Sequence, residues 1–172
     1  MSSTPLTSSA TAARIWKLLR GVFGSELPVA IDLEVVRELL NQPAFGKGAN
    51  LKKPIAFDAE NFEGALVRNE DQHEEWGIFY KPRPKFPERE RFTIAHEMGH
   101  FVLHRGQQRK FNCDKESVYS GIDTIRAIER EADDFASNLL MPGDLLRDWI
   151  AKQRIDFRFL GDIAQRFQVS LE

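Results

Sequence analysis

The chain has 172 residues, of which 42% are hydrophobic and 29% are charged, as is typical of a single globular domain. Its formal net charge of −2 gives no basic excess to neutralise a phosphate backbone, which argues against direct binding of nucleic acid. One cysteine cannot build a disulfide framework, and no segment resembles a signal peptide or a membrane span, so we expect a cytoplasmic protein without membrane contact.

The first 27 residues are predicted to form a partly disordered tail and a first helix. Residues 2–11 are almost all Ser, Thr and Ala, and we expect this tail to enter the helix near Ala10. Apolar residues then recur at helical spacing between Ile15 and Phe23. Glycines lie near the expected end of this helix.

A second, shorter helix is predicted after this tail. Asp32 is a typical N-cap residue, and Pro43 is expected to end the helix. Residues 44–60 are rich in Gly, Lys and Pro and are predicted to form a loop, with a short extended piece at 54–57.

A β-hairpin is the main strand signal in the sequence. Its predicted strands are residues 64–67 and 76–80, joined by a polar turn over 68–75. We expect strand 76–80 to offer a sheet edge along which an extended peptide could lie.

The second half of the chain is predicted to be mainly helical. One helix begins near residue 87 and runs through His104, and residues 107–121 are polar and irregular. Three more helices are expected, over 123–141, 144–152 and 156–167. The fold class is therefore α+β, a helix-dominated single domain with a small antiparallel hairpin or sheet against the helix that contains His96.

The central motif is His96-Glu97-Met98-Gly99-His100. On a helix, residues four apart share one face, so both imidazoles can reach one metal ion. Glu97 lies about 100° further around the axis, beside the open coordination position, where it can take a proton from metal-bound water. The motif therefore predicts a catalytic Zn²⁺ site with His96 and His100 as ligands and Glu97 as general base.

A catalytic zinc site needs a third protein ligand, and acidic residues of the long helix are the candidates. Measured from the centre of the apolar stripe of that helix, Glu129 falls about 65° away and Glu131 about 95° away. Glu129 is therefore predicted to be the third ligand, with Glu131 as its main rival. Asp133, one turn on, is predicted to accept a hydrogen bond from a ligand histidine, and His104 is expected to pack near the site rather than bind the metal.

Two sequence blocks resemble the core of the ImmA/IrrE metallopeptidases. They are RFTIAHEMGHFVLH at Arg91–His104 and EREADDFASNLLMP at Glu129–Pro142, and the end at Phe167–Ser170 is similar as well. The resemblance covers roughly residues 28–172. It implies a small α+β zinc-peptidase domain over that range, with a thermolysin-like ligand set of two His and one Glu. Because Ser170 is a typical N-cap residue without a helix after it, we also expect the natural chain to continue past Glu172.

The resemblance also implies a function and a partner. Members of this family commonly act on, or are encoded beside, helix-turn-helix repressors or antitoxins. We therefore expect a cytoplasmic peptidase that hydrolyses a peptide bond with water activated by zinc and Glu97, and whose substrate is such a regulator. The alternative is a zinc-containing toxin or regulatory module that holds its partner without significant proteolysis. Tyr80, Tyr119 and His104 remain the candidates for stabilising the oxyanion.

Overall fold

The computed structural model describes residues 7–24, 30–107, 109–114, 123–151 and 154–170. The helices in this part of the chain are α1 (Ser8–Phe23), α2 (Leu33–Leu40), α3 (Pro43–Gly46), α4 (Pro87–Gly99), a π-helix (His100–His104) that continues α4, α5 (Asp123–Leu140), α6 (Gly143–Ile150) and α7 (Phe157–Phe167). The strands are β1 (Asn50–Leu51), β2 (Ile55–Ala56), β3 (Phe62–Arg68), β4 (Glu75–Tyr80) and β5 (Lys110–Asp114). The fold is α+β, as predicted.

One mixed sheet of five strands packs against α4. Its order is β1-β4-β3-β5, and β2 also pairs with β4. β3 and β4 form the predicted antiparallel hairpin, with Leu66 opposite Ile78, so that prediction is confirmed. Because β1 and β2 run parallel along the other side of β4, the prediction that strand 76–80 forms a sheet edge is wrong. Among the described strands, β5 has a partner on one side only and lies antiparallel to β3.

Three short elements were not predicted from the sequence. Two-residue strands such as β1 are too short to show alternation, and the polar sequence of β5 becomes a strand only through its pairing with β3. Helix α2 ends at Leu40, before Pro43 as expected, and Pro43 then begins α3. A proline loses no hydrogen bond at that position, because the first N–H groups of a helix have no partner.

The first helix starts earlier than predicted, because Thr7 caps it by accepting a hydrogen bond from the backbone N–H of Ala10 at 3.3 Å. Its inner face is buried against α5, and the Nε1–H of Trp16 donates to the carbonyl oxygen of Leu139 at 2.9 Å. Helix α1 therefore shares a core with the rest of the chain. The predicted domain boundary near residue 27 lies outside the described residues.

Helices α4 and α5 pack closely because Gly99 has no side chain. A Cβ atom at Gly99 would lie 3.2 Å from the Cα of Ala132 and 3.1 Å from the Cδ1 of Phe135. This close approach places the carboxylates of α5 beside the histidines of α4. None of the helices in the described ranges is long and apolar enough to span a bilayer.

Candidate metal centre

Helix α4, the π-helix that continues it and α5 bring His96, His100 and Glu129 together. The Nε2 atoms of His96 and His100 lie 3.0 Å apart. The Glu129 carboxylate faces both rings, with Oε2 3.2 Å from Nε2 of His96 and Oε1 3.4 Å from Nε2 of His100. Both histidines are buried, and Glu129 is partly exposed. These are the three residues that the sequence predicted as metal ligands. Among the described residues, they form a group whose side-chain atoms are close enough together to hold one metal ion.

The donor set fits zinc. Imidazole nitrogen and carboxylate oxygen are common Zn²⁺ ligands, with bonds of about 2.0–2.2 Å. In a tetrahedron with such bonds, neighbouring ligand atoms are about 3.3 Å apart. The separations of 3.0, 3.2 and 3.4 Å among the three side chains match this spacing. Three protein ligands would leave a fourth position for water or substrate, which is the pattern of a catalytic site.

Asp133 fixes the orientation of His96. Its Oδ1 lies 2.8 Å from Nδ1 of His96, so Nδ1–H can donate to the carboxylate while Nε2 faces His100 and Glu129. This is the contact that the sequence predicted for Asp133. Burial lowers the pKa of His96, but the Asp133 and Glu129 carboxylates raise it more, and the pKa reaches about 10 in the metal-free protein.

His100 lies deeper than His96 and is held by an aromatic ring. It is fully buried, and its imidazole stacks on the Phe111 ring of β5 with centroids 4.6 Å apart. Burial lowers the pKa of His100, which favours the neutral imidazole that a metal ion requires. The Nδ1 of His100 lies 3.1 Å from the Nδ1 of His104, on the side of the ring away from Glu129.

Glu129 and Glu131 have different partners. Burial raises the pKa of Glu129, but the hydrogen bonds to His100 and His96 lower it further, so the carboxylate is held ionised. Glu131 instead lies 2.9 Å from the Nε2 of His104 and is not part of the donor group. The structure thus places the rival of Glu129 beside His104, and it places His104 outside the metal-ligating group, as expected.

Glu97 is fully buried next to the sheet, and its charge contributes to the raised pKa of His96. Its carboxylate lies against Gly64 of β3, where a Cβ atom would be 2.8 Å from Oε1 of Glu97. The contact of Gly64 with Glu97 could not be predicted from the sequence, because it depends on how β3 crosses α4.

The oxyanion candidates are only partly located by the structure. Tyr119 lies outside the described residues, and Tyr80 pairs in register with Gly64, across the sheet from β5. A cavity of about 590 Å³ is lined by residues of both α4 and α5. Thr93, one helical turn before His96, and Ser137 are among its lining residues, and Phe92, Leu140 and Met141 give it apolar walls.

The HExxH segment supplies two histidines and α5 supplies a glutamate to one group of possible metal ligands. This arrangement defines the chain as a candidate zinc-binding α+β domain. Residues 55–172 match the IrrE N-terminal-like domain, and the chain belongs to that family. It is 36% identical over 84 residues to the radiation response metalloprotease IrrE of Deinococcus deserti and 33% identical over 84 residues to that of Deinococcus radiodurans. Each match covers 49% of this chain, but only 29% and 25% of the two relatives, so the chain spans a little over a quarter of their length.

Proposed function

We propose that this chain is a zinc-dependent peptidase. The observation that carries the proposal is the spacing of the His96, His100 and Glu129 donor atoms, which suits a tetrahedral zinc ion with one open position. The names of both relatives, radiation response metalloproteases, support the same activity. A Zn²⁺ ion held by these residues would supply a Lewis acid that polarises a carbonyl and makes water more acidic.

The residues of the chain itself would then carry the proton. Glu97 is adjacent to His96 in the helix and is buried, so its carboxylate is shielded from bulk water. In our mechanism Glu97 accepts a proton from the attacking water and donates it to the leaving amine. Asp133 keeps the Nε2 lone pair of His96 directed at the donor group.

The substrate is proposed to be an extended segment of a protein. Among the described strands, β5 pairs with β3 on one side only, and it contacts the metal-ligating group because its Phe111 stacks on His100. A peptide lying along β5 would form backbone hydrogen bonds with the strand and pass the metal-ligating group. The cavity beside Thr93 and Ser137 would accept a side chain of this peptide.

We further propose that the cellular substrate is a helix-turn-helix repressor or antitoxin in the cytoplasm. The proposal follows from membership of the family, whose members commonly act on, or are encoded beside, such regulators. The polar segment between β3 and β4 gives the domain a surface that suits recognition of a protein rather than a free peptide. Co-expression with the regulator encoded beside this protein, followed by pull-down and mass analysis, tests the proposal. Rapid degradation of casein without any complex or cleaved regulator would instead indicate a general peptidase.

A module that binds its partner without proteolysis is the second candidate. It would keep the metal-ligating residues but would not need Glu97 as a proton acceptor. The test is the Glu97→Gln variant. We expect it to keep the fold and the zinc and to lose about 10²–10⁴-fold in cleavage rate, because only the proton acceptor is removed. Undiminished cleavage by this variant would exclude the mechanism, and the absence of cleavage by the wild type despite partner binding would favour the binding module.

A further inference from the structure

His100 is connected to the protein surface through His104 and Glu131. The Nδ1 atoms of His100 and His104 lie 3.1 Å apart, and the Nε2 of His104 lies 2.9 Å from Oε2 of Glu131. His104 is 1% exposed, whereas the side chain of Glu131 is 58% exposed. The line of contacts therefore begins at the donor group and ends at a solvated carboxylate.

Hydrogen-bond directions along this line are fixed by the carboxylate. An ionised carboxylate can accept hydrogen bonds but cannot donate them. With Glu131 as the acceptor, Nε2 of His104 carries the proton and Nδ1 of His104 is an acceptor. The Nδ1–H of His100 then donates to His104, which leaves the Nε2 lone pair of His100 facing His96 and Glu129. The direct hydrogen bond from His96 to Asp133 would favour the same tautomer of His96 once its Nε2 binds a metal ion.

His104 lies one helical turn beyond His100. Residues four apart in a helix share one face, so the two rings can contact each other. The segment His100–His104 is π-helical, and its two histidines stand with ring centroids 5.3 Å apart on one side of the helix. Local π-helical turns are frequently found at functional sites.

We propose that His104 and Glu131 are positioning residues for the metal ligand His100, which they hold in the tautomer and orientation that bind the ion. This inference rests on the proposed zinc site. Asp133 orients His96 through a direct hydrogen bond, and Glu131 would orient His100 in the same way through His104. Loss of a residue that orients a metal ligand typically weakens metal binding about 10- to 100-fold.

The alternative is that His104 only fills space in the core. This structural role and the positioning role predict different effects of substitutions at His104. If His104 only fills space, a ring of similar size without nitrogen should preserve metal affinity as long as the fold survives. If it positions His100, His104→Phe should weaken zinc binding, and His104→Asn should recover part of the affinity because its side-chain oxygen can accept from Nδ1–H of His100.

The experiment measures the zinc dissociation constant by competition with a chromophoric chelator. We expect His104→Phe and Glu131→Ala to bind zinc about 10- to 100-fold more weakly than the wild type, and Glu131→Gln, which keeps an acceptor, to bind more tightly than Glu131→Ala. Because the side chain of Glu131 is exposed, its variants should fold even if His104→Phe does not. Asp134→Ala is the matched control, since it removes the same charge from an exposed position of α5 outside the donor group.

A second readout is the visible absorption spectrum of the Co²⁺-loaded protein, which reports the geometry of the ligands. We expect a changed spectrum for His104→Phe and a wild-type spectrum for Asp134→Ala. Unchanged zinc affinities and spectra for both His104→Phe and Glu131→Ala would overturn the inference and leave the zinc site intact. A wild-type protein that binds no zinc would instead overturn the proposed function, and the inference with it.

Discussion

Gly64 of β3 lies directly against the carboxylate of Glu97. A Cβ atom at this position would be 2.8 Å from Oε1 of Glu97 and 2.6 Å from Cγ2 of Thr93, both shorter than ordinary van der Waals contact. The sheet therefore sets the position of the proposed general base through the absence of a side chain. A larger residue would have to displace Glu97, Thr93 or the strand itself.

We predict that Gly64→Ala lowers the cleavage rate by about 10²-fold, because a general base displaced by about 1 Å loses that much in rate. Zinc content should be unchanged, since the donor group does not include Glu97. The rate is measured on the polypeptide that the wild type cleaves. Gly77→Ala on β4 is the control, because its nearest neighbour is a Phe79 ring carbon 3.3 Å away. Wild-type rates for Gly64→Ala would show that Glu97 does not need its present position.

The third metal ligand can be tested by zinc analysis. We predict that Glu129→Gln purifies with much less than one zinc per chain, whereas Glu131→Gln keeps about one zinc per chain when zinc is in excess. Added zinc should raise the melting temperature of the wild type, because a ligand that binds only the folded state stabilises it, and should have little effect on Glu129→Gln. Loss of zinc from Glu131→Gln with retention by Glu129→Gln would show that the ligand assignment is wrong.

The first helix should contribute to global stability. Ile15 is fully buried and Val22 is 76% exposed on the same helix. We predict that Ile15→Ala lowers the free energy of unfolding by about 2–4 kcal/mol, because it leaves a cavity between α1 and the core, and that Val22→Ala changes it by less than about 0.5 kcal/mol. Urea denaturation measures both. Equal, small effects would mean that α1 folds apart from the rest of the chain.

The raised pKa of His96 predicts a pH dependence for the metal-free protein. The pKa of about 10 in the folded state exceeds the ordinary value of 6.5, so protonated His96 stabilises the fold fully below pH 6.5, and this contribution disappears as the pH rises towards 10. NMR titration of the imidazole in metal-free protein measures the shift directly. Asp133→Asn should lower the pKa, because it removes one of the three carboxylates, those of Asp133, Glu129 and Glu97, that raise it. An unshifted His96 in the wild type would contradict the geometry of this cluster.

The sequence predicted the metal-ligating group more fully than the sheet around it. His96 and His100 follow from a spacing of four, and Glu129 and Asp133 follow from the orientation of one apolar stripe, because helical periodicity is a local property. Tertiary pairing decides the rest. β5 contains a stacking partner for His100 but has no strand signal of its own, and Gly64 became part of the site only when β3 crossed α4.

His104 shows a different limit. A spacing of four places it on the same side of a helix as His100. Neither the π-helix over His100–His104 nor the contact of His104 with Glu131 leaves a mark in the sequence that periodicity could detect. The role of this histidine could therefore be inferred only from the three-dimensional structure.

The three donor atoms come from α4, the π-helix and α5, and none comes from the sheet. A metal ion bound there would act as a reversible crosslink between residues 100 and 129 and would close a chain segment that contains β5. Because the ion would bind only the folded arrangement of these residues, it would stabilise that arrangement against unfolding. The crosslink would also restrict local opening of the first turns of α5, while the far end of that helix is already held by Trp16. Metal supply would thus control how often the side of the domain that contains β5 opens, as well as the proposed chemistry.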